Sequence, residues 1–242
     1  MRDPRYSVAL LDWLACAAGG RDEPAARAAR QLGDPVVLAG TSGHVLDFDD
    51  TYLPGIAHLS APTAPAALVV AAELGLTAGH ALEAFAEGFE AMAAVARASH
   101  PALYDNGWHP TAVCGGVGAA VAAAVLLDAP RDDAVAIALL RAGGLQAAFG
   151  SDGKSLQVGL AAASGVAAVR LARAGARVSL DEAAAAFSRR PAGATPSRAA
   201  AGTTRGRRWP SPTTGSRRGR AACRRTAPSR PPIGSTATPR LT

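Results

Sequence analysis

The feature that most constrains this chain is a change of composition at residue 189. From Arg189 to Thr242 the sequence carries 13 arginines, no lysine and no acidic residue. Before that point stand 11 arginines and one lysine against 19 Asp plus Glu. The formal charge of +6 therefore divides into −7 up to Ser188 and +13 beyond it. Among the last 54 residues only Ile233 and Leu241 come from the set Leu, Ile, Val and Phe. So few apolar side chains cannot offset the entropy of ordering a backbone, about 1–2 kcal/mol per residue. The sequence reads as a folded domain over 1–187 and a disordered Arg/Pro/Ala-rich tail over 188–242. The tail has the look of GC-rich coding sequence translated out of frame. An arginine-rich nucleic-acid arm is the competing reading. The tail lacks the interleaved aromatics on which single strands stack, so no specific nucleic-acid partner is expected.

The acidic part is rich in alanine and poor in aromatics, a combination that suits close-packed helices. "SVALLDWLACAAGG" is an amphipathic helix closed by glycine. "DEPAARAARQLG" is a short second one with Pro24 in its first turn. "APTAPAALVVAAELG" is a third, ended by Gly75. "TAGHALEAFAEGFEAMAAVARASH" sets Leu82, Phe85, Phe89 and Met92 on one face at helical spacing. "TAVCGGVGAAVAAAVLLD", "PRDDAVAIALLRAGG" and "SLQVGLAAASGVAAVRLARAG" supply three more. Period-two alternation is scarce. The expected fold is all-α, an antiparallel helical domain with short connections. Cys16, Cys114 and Cys223 are too widely spaced for a disulfide framework or a zinc site. No apolar run with a cleavage site follows the charged residues 1–5, and no run of about eighteen residues reads as a membrane span. No membrane association and a cytoplasmic location are expected.

Against this background "HVLDFDDTYLPGIAH", residues 44–58, gathers three carboxylates and two imidazoles into one short segment. Clustered aspartates of this form suit several chemistries. Asp47, Asp49 and Thr51 match the D-x-D-x-T of a magnesium-dependent phosphohydrolase, but that motif needs alternating strands and helices around it. Asp47, Asp49 and Asp50 match the D-x-D-D of an all-α terpene cyclase. Its cation-stabilising cavity needs aromatics, however, and the chain has three Trp, three Tyr and five Phe. Helix capping or a loop held by Asp side chains is the purely structural alternative. The motif is also accompanied. "GWHPT" brings His109, and "FGSDGKSLQVG" brings Lys154, the only lysine of the chain. Each lies in a loop marked by Gly or Pro beside a strong helix, where scaffolded chemistry tends to sit.

The ordered set "LLDWLACAAGG", "GHVLDFDDTYLPGIAHLSAPTAPAAL", "GWHPT" and "AAFGSDGKSLQVGLAA" resembles the MmgE/PrpD family over about residues 8–182. That family includes 2-methylcitrate dehydratases, cis-aconitate decarboxylases and iminodisuccinate epimerases. The resemblance implies a large helical domain with a smaller α/β lid, a homodimer, a small carboxylic-acid substrate, and no metal or organic cofactor. By motif it assigns Asp47, His58, His109 and Lys154 as catalytic and Thr51 as substrate-binding. Four positions depart from the family habit: Tyr52 for His, Leu59 for Pro, Ser155 for Pro and Gln157 for His. The tail holds nothing like the lid, which is therefore expected to be missing. The expected function is a cofactor-independent carbon–oxygen lyase, or a related isomerase or decarboxylase, acting on a citrate-like acid. The alternative expectation is a catalytically inactive, truncated fragment of such an enzyme.

Overall fold

A computed structural model of the chain describes residues 3–189, and no strand occurs among them. Ten α-helices follow one another: α1 Pro4–Gly20, α2 Pro24–Arg30, α3 Pro35–His44, α4 Ser60–Glu73, α5 Ala78–Ser99, α6 Ala102–Asp105, α7 Pro110–Leu127, α8 Arg131–Leu140, α9 Gly153–Arg173 and α10 Leu180–Ser188. Short 3-10 turns stand at Leu53–Gly55 and Gln146–Ala148. The all-α expectation holds. The tail, its frameshift-like composition and Cys223 lie outside the described residues.

The seven helices read from periodicity are α1, α2, α4, α5, α7, α8 and α9. Three corrections are needed: α3, α6 and α10 were not expected. Six of the ten residues of α3, PVVLAGTSGH, are valine, glycine, serine or threonine, all weak helix formers. It is helical because Asp34 caps it, accepting from the amides of Val36 and Val37, and because seven of its ten residues are buried. The start of α10 carries the sequence S-x-x-E at 179–182, and the Ser179 hydroxyl accepts from the Glu182 amide at 3.2 Å, one half of a capping box.

The core is organised around α7, which packs against α4, α5, α8 and α9. Every residue from Pro110 to Ala124 is buried. A helix that is apolar all round has no solvent face to offer and is stable only when surrounded. Small side chains let its neighbours come close. A Cβ on Gly165 of α9 would lie 2.4 Å from the carbonyl oxygen of Gly116 in α7. The same device joins α9 to α3: a Cβ on Gly159 would lie 2.5 Å from the carbonyl of Val37. This second approach brings the end of α3 to the start of α9.

By length and composition α7 and α9 are each apolar enough to cross a membrane. In the domain, however, 83% of the α7 window is buried by other helices, against 50% for α9. Both free cysteines described, Cys16 and Cys114, are buried.

The glycine contacts give a test with opposite signs in one interface. Gly165→Ala forces a methyl group against backbone and is expected to destabilise the domain by about 1–3 kcal/mol. Gly116→Ala places its methyl 3.5 Å from the Ala161 carbonyl, an ordinary contact. It is expected to be neutral or stabilising by up to about 1 kcal/mol, because alanine favours a helix over glycine. Urea unfolding of the two variants beside the parent chain checks both signs.

Candidate active site

Three separate stretches of chain converge on one cluster. The first is the end of α3 and the loop behind it. His44 closes α3 and is 1% exposed. The chain then turns through Asp47, whose φ of 58° lies in the left-handed region. Aspartate tolerates that conformation better than most residues. The backbone returns through a small hairpin in which the Tyr52 amide donates to the Ala57 carbonyl at 2.8 Å. His58 follows, its own amide donating to the buried Thr111 hydroxyl of α7 at 3.1 Å. The second stretch is the entry to α7, where His109 is the N-cap residue. The third is the first turn of α9, which carries Lys154 and Gln157.

The side chains form a continuous polar chain. The Lys154 ammonium donates to Asp47 Oδ1. Asp47 Oδ1 lies 3.5 Å from His58 Nε2. His58 Nδ1 lies 3.4 Å from Asp49 Oδ1. Asp49 in turn holds His44 Nδ1 at 3.0 and 3.1 Å through its two oxygens. The His44 ring is 4.6 Å from that of His58, edge on, and 5.9 Å from that of His109, stacked. Phe149 stands edge on to His109 at 4.9 Å, and the Lys154 ammonium lies 5.6 Å from the Phe149 ring centre. Asp49 and His44 have no exposed side-chain surface, whereas Asp47 keeps 34%. The cluster thus runs from a dry inner end at His44 to an open outer end at Asp47.

Burial and neighbours set the charge of each member. Burial presses His44 below the ordinary imidazole value, and the Asp49 carboxylate opposes it only in part. Burial presses His58 the same way, but Asp49 and Asp47 outweigh it and the net shift is upward. Burial again lowers His109, with no carboxylate close enough to compensate, and its value falls to about 2. Burial would raise Asp49 and Asp47. The two imidazoles hold Asp49 well below the carboxylate range, and the Lys154 ammonium does the same for Asp47. Asp50 behaves differently: desolvation, helped by the Asp49 charge, raises it to about 6. Its two oxygens accept from the amides of Leu59 and Ser60 at 3.1 and 2.9 Å, holding the start of α4.

Of the residues expected from sequence, Asp47, His58 and Lys154 meet directly, and His109 joins through the stacked His44 ring. His109 lies in the loop immediately before α7, as its N-cap residue, whereas Lys154, expected in a loop beside a helix, is the second residue of α9. Thr51 is exposed, and no hydrogen bond or ion pair joins it to the cluster. Thr111, on α7, makes the threonine contact that is present. Sequence reasoning did not select His44, Asp49, Thr111 or Gln157 as site residues. For His44 and Asp49 part of the signal is in the sequence, a histidine five residues before an aspartate of the same motif; that His44 ends a helix is not.

A cation could find ligand atoms here, since those of His44, Asp47, Asp49 and His58 lie within 4.8 Å of one another. It would have to displace the Lys154 ammonium, which already supplies a positive charge at Asp47. A separate cavity of about 440 Å³, lined by Tyr6, Leu82, Glu87 and Arg131 among others, shares no lining residue with the cluster.

Comparison with protein families now decides the relationship: the model of the MmgE/PrpD N-terminal domain matches residues 34–185. The chain belongs to the MmgE/PrpD family. The match begins at Asp34, the cap of α3, and ends within α10. It therefore spans every residue of the cluster. No curated protein matches the chain.

Two outcomes follow for this MmgE/PrpD domain. Asp49→Ala leaves the His44 Nδ1–H donor buried without its acceptor and is expected to cost about 1–3 kcal/mol of stability, read by urea unfolding. Asp50 gives a pH signature. Its folded value, about 6, lies above the unfolded value of about 3.9. The unfolded chain therefore loses this proton first, and stability from this group declines as pH rises from about 4 to about 6. Asp50→Asn keeps an acceptor for the α4 amides and removes the titration. The variant is expected to gain on the parent across that window by roughly 2–3 kcal/mol, followed by urea midpoints at stepped pH.

Proposed function

We propose that the cluster carries out cofactor-independent acid–base chemistry at a carbon next to a carboxylate, in the manner of a dehydratase acting on a citrate-like di- or tricarboxylic acid. The observation that carries this reading is the juxtaposition of His58 between two carboxylates with the Lys154 ammonium beside it. A base for a weakly acidic C–H needs a pKa near or above that of free imidazole. His58 has the neighbours to reach it. Asp47 orients the outer nitrogen of His58 and Asp49 the inner one. Lys154 can pair with a substrate carboxylate and steady the negative charge that develops as the proton leaves. In a dehydration His58 takes the proton from carbon, the C–H electron pair becomes the new double bond, and the hydroxyl departs. The same imidazole then hands its proton to that hydroxyl, so that water leaves and His58 returns to its neutral form. A related isomerase or decarboxylase would use the same first contacts.

A second reading is favoured by the outer end of the cluster. Phe48, next to Asp47 in sequence, is 78% exposed, and Phe149, which stands against His109 and Lys154, is exposed as well. Reactions of this kind gain from excluding water. The reading is that the described domain binds the acid and does not turn it over until another domain or subunit covers these apolar side chains.

The test is incubation of the chain with 2-methylcitrate, cis-aconitate and iminodisuccinate, following loss of each acid. Turnover of at least one is expected, with His58→Ala slower by about 100-fold or more. The rate is expected to fall as pH drops through a midpoint above that of free imidazole, about 6.5, because protonated His58 cannot accept. Consumption of none, with saturable binding of one, supports the second reading. Neither binding nor turnover of any sinks both.

A further inference from the structure

We propose that Gln157 sets the tautomer of His109, so that this imidazole meets the substrate as an Nε2–H hydrogen-bond donor and takes no part as a base. The inference rests on the acid–base reading of the cluster and divides the labour within it.

The argument begins at the backbone of Leu145. The Leu145 amide donates to Gln157 Oε1 at 3.0 Å. Gln157 Nε2 donates to the Leu145 carbonyl at 3.2 Å. A backbone N–H can only donate and a carbonyl can only accept. This two-point grip therefore decides which end of the side-chain amide is oxygen and which is nitrogen, an assignment that is otherwise ambiguous. The second hydrogen of Nε2 is then aimed at His109 Nδ1, 2.5 Å away. An amide NH2 has no lone pair to offer, so Nδ1 must be the acceptor. In a neutral imidazole whose Nδ1 accepts, the proton resides on Nε2.

The imidazolium form is disfavoured by the same geometry, since a proton on Nδ1 would face a donor. The lowering of His109 by burial and by its cationic neighbours acts in the same direction. The groups around the ring are the imidazoles of His44 and His58, the Lys154 ammonium, Phe149 and the more distant Asp49 carboxylate. None competes for Nδ1. No described residue bonds Nε2, which leaves that N–H for a ligand.

The support under Gln157 is itself rigid. The His109 amide donates to the Gly144 carbonyl at 3.0 Å, and the Gln146 amide donates to the Gly107 carbonyl at 2.9 Å. The two loops are thus laced together before Gln157 reaches them. Gly144 has a φ of 139°, and a Cβ there would meet that of Ala112 at 2.5 Å. The loop can approach α7 this closely only with glycine at that position. Gln157 is accordingly a positioning residue. The group that His109 touches is an oxygen with a free lone pair, such as a substrate carboxylate or hydroxyl. Proton abstraction falls to His58.

The experiment is long-range nitrogen–proton correlation NMR on the full chain carrying 15N-labelled histidine, with His109→Gln used to assign the His109 signals. The expected spectrum shows a protonated Nε2 and a bare Nδ1, unchanged from about pH 5 to about pH 8. Gln157→Glu presents an acceptor in place of the NH2 donor. It is expected to interchange the two nitrogen signals and to make the ring titrate. A wild-type spectrum with the proton on Nδ1, or an imidazolium near neutrality, overturns the proposal without recourse to any variant. A folded Gln157→Glu chain whose His109 spectrum matches wild type overturns it as well. The spectrum needs no substrate, so failure of turnover with every acid would remove the function proposed above and leave the tautomer assignment standing.

Discussion

The cluster depends on one buried carboxylate. Among the described residues, Asp49 is the carboxylate that reaches both inner imidazoles, bonding His44 at 3.0 Å and standing 3.4 Å from His58. Its charge has been taken out of water, which is costly unless close partners compensate. Here the compensation comes from two rings supplied by different parts of the chain, one at the end of α3 and one just before α4. The carboxylate therefore closes the loop between these helices and places His58 in the same act. Asp50, its neighbour in sequence, gains little from that compensation. It holds the α4 amides and retains its proton to higher pH because burial disfavours its anion and the Asp49 charge beside it adds to that effect. Adjacent aspartates in one motif thus take opposite electrostatic roles, one needed as an anion and the other tending towards neutrality.

The helices make this possible through small residues. His44 and Lys154 belong to α3 and α9, and their side chains can enter one cluster because Gly40 and Gly159 bring those helices almost into backbone contact. Larger residues would move the helices apart by an ångström or more. At hydrogen-bond distances such a displacement separates partners that now touch. The abundance of alanine and glycine is thus tied to the chemistry: it sets the precision with which polar side chains at helix ends converge.

Much of this was legible in the sequence, and the residues show why the rest was not. The periodic apolar face of α5 and the proline in the first turn of α2 are local signals, and the sequence shows both. The helix α3 carries no such signal. Its residues favour other conformations, and its burial against α9 and α1 overrides that preference. Asp47, His58, His109 and Lys154 were found because the resemblance preserves residue types at motif positions. Gln157 was noted only as a departure. Its role depends on the Leu145 backbone, 12 residues away in sequence, and no residue pattern encodes the direction of a peptide group in a loop. Thr51 shows the converse. Its motif position marked it, yet Thr111 makes the threonine contact that the cluster uses.

Three imidazoles meet within about the width of one small acid, and burial alone would push all three towards neutrality. They differ because each is given a different second partner. His44 faces one carboxylate that must also serve another ring, and it stays on the neutral side. His58 has a carboxylate towards each nitrogen and is drawn towards the charged state. His109 has an amide that can only donate, and it remains neutral. Under the proposed reading, one residue type in one small volume supplies an inner buttress, a proton carrier and a hydrogen-bond donor. The distinction rests on burial together with Asp49, Asp47 and Gln157 being held still, and the packing of α3, α7 and α9 does this.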